Sequence, residues 1–194
     1  MLSKTVGNVT FHFGPLLIVG GLILFILFVQ LIRAIVMELK FRDITKKLVI
    51  GDYNTIITSG EKLLRIYQKY NARLSSNPII SRIEYLNFAL AVSYFSTSND
   101  DQFLLHINEM NSSVDIKEFW LSLFYLNRSA FENASVHYNQ IATNDNTHIH
   151  KTFLTSFEAY KQGNNDIAKS KMLEVIDQLK HPILKQIADL IIKN

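Results

Sequence analysis

The chain has 194 residues, 48% of them hydrophobic, with a formal net charge of +3 and no cysteine. Without Cys there is no disulfide framework, no thiol catalysis and no Cys-based zinc site. The charge is local: residues 33–47 hold five cations against two acids, while residues 48–194 hold fourteen against fifteen, so the basic balance gives no reason to expect a nucleic-acid partner.

After a short tail over residues 1–12, a stretch without charge runs from Pro15 to Ile32. Fourteen of the seventeen positions from Leu16 to Ile32 are Leu, Ile, Val or Phe, interrupted by Gly20, Gly21 and Gln30. At roughly −0.3 to −0.6 kcal/mol each near a bilayer centre, those side chains favour insertion by about 4–8 kcal/mol. Crossing the hydrocarbon core takes about 20 apolar residues. Residues 13–37 meet that length if Arg33 lies near the interface and snorkels. The apolar run is too long for a signal-peptide core, and no small-x-small cleavage site follows, so an uncleaved anchor is expected. Gly20-Gly21 would let a second membrane helix approach closely.

A basic juxtamembrane helix follows over residues 38–50. Arg33, Lys40, Arg42, Lys46 and Lys47 stand against Glu38 and Asp43, and only Lys4 and the amino terminus precede the span. This bias places the C-terminal side in the cytoplasm and the N-terminus outside a cell membrane, in a single pass. The same cations suit anionic lipid, at about 1 kcal/mol each. Abundant Ile, Asn and Lys fit an AT-rich bacterial coding sequence.

From residue 51 the pattern is helix after helix, broken by short polar turns. Gly51-Asp52-Tyr53 is a tight turn. Helix is expected from Asn54 to about Tyr70 or Leu74, then a loop over 71–78 that ends in Asn-Pro. Further helices are expected over 79–95, 102–110, 116–126, 130–142, 149–161 and 166–179, with a last one from Pro182 to Ile192 covering the open end. Lys185, Gln186 and Asp189 should face outward on that helix. On the first of these helices, Lys62, Arg65, Lys69 and Arg73 recur at steps of three and four beside an apolar face. They form either a lipid- or acid-binding stripe or a plain solvated face.

Two stretches align: Ser129-Ala-Phe131-Glu-Asn-Ala134 and, 34 residues later, Gly163-Asn-Asn165-Asp-Ile-Ala168. With Gly51-Asp-Tyr53-Asn-Thr-Ile56, and with Leu121, Ser122, Tyr125, Phe131, Ala134 and Tyr138 at packing positions, residues 38–192 resemble the tetratricopeptide repeats. The resemblance implies an all-α chain: one N-terminal transmembrane helix, then an α-solenoid of roughly three to four hairpins over 51–194. There are departures. Tyr53 and Phe103 are fifty residues apart, Phe103 and Phe131 only 28, Asn165 replaces an aromatic, and Thr155 and Ser156 stand where Leu and Gly are usual. A generic helical bundle is the other reading of the pattern.

The resemblance also implies a partner on the concave face. Setting Ser129 and Gly163 as turns places Ile116, Phe119, Leu123 and Leu126 there in one unit, and His150, Phe153, Phe157 and Tyr160 in the next. These eight residues form either a groove for an apolar segment of another protein or simply core, covered by the helices at 79–96 or 182–192. The Lys, Asn and Arg of the family's carboxylate-binding variant are missing. His148 and His150 diverge by about 200° on a helix, with no ligand three or four residues on, so no metal is expected. No nucleophile elbow, zinc-protease helix or phosphate loop occurs, which leaves no catalytic residue, cofactor or small-molecule substrate to name. The expected function is non-catalytic binding of a membrane-associated protein. The alternative is an accessory subunit of a transporter or secretion complex that makes contact through its span.

Overall fold

The computed structural model describes residues 3–6, 9–12, 14–72, 76–111 and 114–193. It begins with two short strands, β1 (Ser3–Val6) and β2 (Val9–His12), paired antiparallel with Ser3 opposite His12 and Val6 opposite Val9. The remaining elements are helical: α1 (Gly14–Ile50), α2 (Tyr53–Asn71), α3 (Asn77–Ser96), α4 (Asp100–Asn108), α5 (Val114–Asn127), α6 (Phe131–Gln140), α7 (Asp145–Lys161), α8 (Asn165–Val175) with a 3₁₀ turn at Ile176–Gln178, and α9 (Pro182–Lys193). The hairpin in the 1–12 tail was not anticipated. The chain divides into two compact units, Met1–Asp43 and Ile44–Asn194.

The boundary falls inside α1, seven residues ahead of the expected start of the second unit at residue 51. Ile44 and Leu48 explain the difference, because both are buried core residues of the second unit. Asp52 then starts α2: its Oδ1 accepts the Thr55 N–H at 3.3 Å and its Oδ2 accepts the Lys47 ammonium at 2.9 Å. The Lys47 bond, followed by the Thr55 bond, holds the Asp52 carboxyl below its ordinary range.

Among the described residues one turn geometry occurs four times. Gly51, Ser98, Ser129 and Gly163 each take a left-handed φ, of 79°, 57°, 57° and 82°. The residue after each donates its N–H back across the turn: Asp52 to Lys47, Asn99 to Tyr94, Ala130 to Tyr125 and Asn164 to Ala159, at 2.8–3.0 Å. Such a left-handed residue satisfies the last carbonyls of one helix while the next helix starts at once. Counting from these turns aligns the hairpins. Seven residues before the turn stand Ile44, Ala91, Ser122 and Ser156, and five after it stand Ile56, Phe103, Ala134 and Ala168, all buried. In the last two hairpins a hydroxyl crosses to the facing helix, with Ser122 Oγ donating to the Ala134 carbonyl at 3.1 Å and Ser156 Oγ to that of Ala168 at 2.6 Å.

That close crossing is testable. Ser156→Leu loses the hydrogen bond and forces a larger side chain between α7 and α8, for an expected loss of about 2–4 kcal/mol. Ser156→Ala loses only the hydrogen bond, about 1 kcal/mol. Urea denaturation of the full chain in detergent, followed by helical ellipticity, separates the two variants; equal costs would overturn the close-approach account.

Within the second unit α3 packs on α2 and α4, α5 on α6 and α7, and α8 on α7 and α9. The core between them is aromatic. Phe103 stacks on Phe124 at 4.6 Å, Phe95 lies 5.7 Å from Phe103, and Phe119 lies 5.9 Å from Phe153. On α9 the amphipathic pattern holds as expected: Ile183, Leu184, Ala188 and Ile191 are buried, while Lys185, Gln186 and Asp189 are exposed. α7 starts at Asp145, earlier than the expected 149. Asn144 Oδ1 accepts the Thr147 N–H at 3.1 Å, and Thr147 Oγ1 donates to the Ala142 carbonyl at 2.6 Å, so the polar segment 143–147 is itself the helix start.

Candidate functional site

Three features of the described residues can meet a partner: the apolar helix, the cations near its end and a cleft between α5, α6 and α7. Ile18–Ile50 of α1 is long and apolar enough to cross a membrane. Its large side chains are bare, with Ile18 74%, Leu24 68% and Phe25 63% exposed. A Cβ built at Gly20 or Gly21 meets open space, so packing within the chain does not require either glycine.

The expected cations divide by their pairing. In the first unit Arg33, Lys40 and Arg42 are exposed, and Arg42 reaches Glu38 at 3.1 Å. In the second, Lys46, Lys62, Arg65 and Lys69 are exposed; Arg65 holds Glu61 at 3.2 Å, and half-buried Lys47 is taken up by Asp52. Arg73 lies outside the described residues. Exposed i, i+4 pairs of this kind contribute only a few tenths of a kcal/mol, so Arg42 and Arg65 remain usable by an anionic surface.

Of the two readings of the aromatic list, the structure favours core for most of it. Phe119, Leu123, Leu126, Phe153 and Phe157 are buried, His150 and Tyr160 are half-buried, and Ile116 is exposed. The expected groove is therefore corrected at those five positions. The physical reason is that α5 and α7 pack directly on each other, with Phe119 against Phe153 and the His150 ring 4.7 Å from Phe119. Both helices expected as covers contribute beside them: Phe88 and Phe95 of α3 and His181 at the head of α9 all pack on Trp120, at 6.1, 5.6 and 5.3 Å.

An open concavity lies elsewhere. Ser122, Leu126, Ala134, Ser135, Tyr138, Asn139, Leu154 and Glu158 line a cleft of about 220 Å³. Hydroxyls, one amide and one carboxylate dominate its polar lining, and Lys151 Nζ sits 5.1 Å from the Tyr138 ring centre. Ser122 and Ala134 are buried at its floor, as packing residues, while Ser135, Tyr138, Asn139 and Glu158 form its accessible rim, which sequence reasoning did not single out.

Among the described residues a polar arrangement of one form also appears twice, 31 residues apart. His106 Nδ1 meets Asn87 Oδ1 at 3.0 Å and its ring stacks on Tyr94 at 5.6 Å; His137 Nδ1 meets Glu118 Oε2 at 2.6 Å and its ring stacks on Tyr125 at 5.3 Å. Tyr94 Oη donates to Glu61 Oε1 at 2.5 Å, tying α3 to α2. Burial, then the Glu61 hydrogen bond, pushes the Tyr94 phenol up to about 12, and burial pulls the His106 imidazole down. These groups satisfy one another between helices, which is how buried polar side chains fix the register of a helix pair.

Comparison with known proteins gives no match: no family model, no curated protein and no solved structure matches this chain.

Proposed function

We propose that the protein is a membrane-anchored, tetratricopeptide-like scaffold that holds a protein partner at the membrane surface without catalysis, in the assembly or steadying of a membrane complex. The observation that carries this reading is the contrast between the bare apolar side chains of α1 and the enclosed core of the hairpins that follow. A helix so apolar has no stable place in water. The repeat reading rests on the four equivalent turns and on the Ser122–Ala134 and Ser156–Ala168 crossings, which sit 34 residues apart. In this proposal α1 crosses a cell membrane once, the N-terminus lies outside, and the hairpins stand in the cytoplasm with Arg33, Lys40, Arg42 and Lys46 meeting anionic lipid. Anchoring raises the effective concentration for partners already in the membrane. The partner surface is the cleft at Tyr138, Asn139 and Glu158.

The second reading, an accessory subunit that makes its contact through the span, draws on the open faces of Gly20 and Gly21. A photocrosslinking residue placed at Tyr138 or at Leu24 in living cells separates the two. Capture of a protein at Tyr138 is expected from the scaffold, whereas capture at Leu24 alone would transfer the recognition role to the span. A topology reporter fused after Asn194 should be active in the cytoplasm; activity outside would reverse the orientation.

A further inference from the structure

The head of α9 meets the one tryptophan in the chain. His181 caps this helix, its Nδ1 accepting the Ile183 N–H at 3.3 Å, and Pro182 takes the first helical position. The His181 ring stands edge-on to Trp120 with centroids 5.3 Å apart. Its other nitrogen, Nε2, is enclosed and has no hydrogen-bond partner. An imidazole that accepts at Nδ1 is neutral and carries its hydrogen on Nε2. A proton added to Nδ1 would therefore consume the lone pair that caps α9 and put a full charge on a ring whose Nε2 is enclosed and has no acceptor.

We propose that His181 is an acid-sensitive latch: neutral, it caps α9 and covers Trp120, and once protonated it frees the head of α9 from that face and uncovers Trp120. The surroundings favour the neutral form. Trp120 faces His181 from α5, while Lys180, Lys185, Glu174 and Asp177 are exposed. From α7 the titratable group in the same aromatic cluster is His150, whose Nδ1 is also enclosed without a partner and which has Asp115 of α5 acting on it. Burial holds His181 down at about 4 against an ordinary 6.5, and it lowers His150 as well. The sign follows from that depression. Freed His181 binds a proton more readily than the seated form, so opening becomes easier as pH falls below about 6.5 and levels off near 4, by up to about 300-fold.

Hydrogen exchange on the full chain in lipid nanodiscs, corrected for intrinsic pH dependence, reads this opening amide by amide. On going from pH 7 to pH 4, the amides of α9 should lose protection on the order of a hundred-fold more than those of α5. His181→Asn keeps a capping oxygen and removes the titrating nitrogen, so its α9 protection should be flat over the same range; His181→Ser serves in the same way should the Asn variant fold poorly. His150→Gln should leave the acid response of α9 in place. Equal acid loss in α5 and α9, an unchanged response in both His181 variants, or abolition of the response by His150→Gln would each overturn the latch.

Discussion

Phe153→Ala is expected to lower the unfolding free energy of the helical unit by about 3–5 kcal/mol, against an exposed-site control, Ile116→Ala, within about 0.5 kcal/mol of the parent. Phe153 is wholly enclosed on α7, the helix that packs on both α5 and α8. Its ring lies 5.9 Å from Phe119, which in turn carries His150 and Trp120, so truncation opens a void that several rigid groups border. Rings fixed on separate helices collapse poorly into such a void, which puts the cost toward the upper end of the range. A typical domain is stable by only about 5–15 kcal/mol, so this single change threatens the fold. Urea denaturation of the full chain in detergent measures it. A cost below about 1 kcal/mol would show that Phe153 borders open space after all, and would restore the aromatic groove as a binding surface.

The sequence already carried most of this architecture, because helix ends are written in local chemistry. Asp52 and Asn99 stand where caps were needed, and Gly51 and Gly163 where a left-handed residue was needed. Ser98 and Ser129 do the same work without glycine, which is why the hairpin spacing was harder to read there. Counting from the turns shows what motif spacing hid: Phe41, Phe88, Phe119 and Phe153 each stand ten residues before the left-handed position. Irregular spacing between hairpins, 47 residues, then 31, then 34, concealed that ladder from a search at one fixed period. The hairpin at β1 and β2 had a signal in the β-branched residues on either side of Gly7-Asn8. Which face of α5 is open was not legible, since that depends on how α6 and α7 pack against it, and a rotation of one residue exchanges buried and bare positions.

Leu24→Lys combined with Leu27→Lys should move the protein out of the membrane fraction. At mid-span each change replaces a side chain at about −0.5 kcal/mol by one at about +3, so the pair costs about 7 kcal/mol, equal to the drive of about 4–8 kcal/mol carried by the whole apolar run. Both positions are more than half exposed, so packing within the chain has little to lose and the effect isolates the membrane. Val49→Lys with Ile50→Lys makes the informative comparison. Those side chains are as bare as Leu24, at 67% and 69% exposed, but they follow the basic cluster and precede the Gly51 turn. In the proposed topology they stand clear of the hydrocarbon core, and the second pair should leave partition unchanged. Alkaline carbonate extraction followed by blotting distinguishes the two pairs. If both release the chain equally, exposure alone governs partition and α1 lies along a surface; release by the first pair alone requires a core-spanning segment that has ended before Val49.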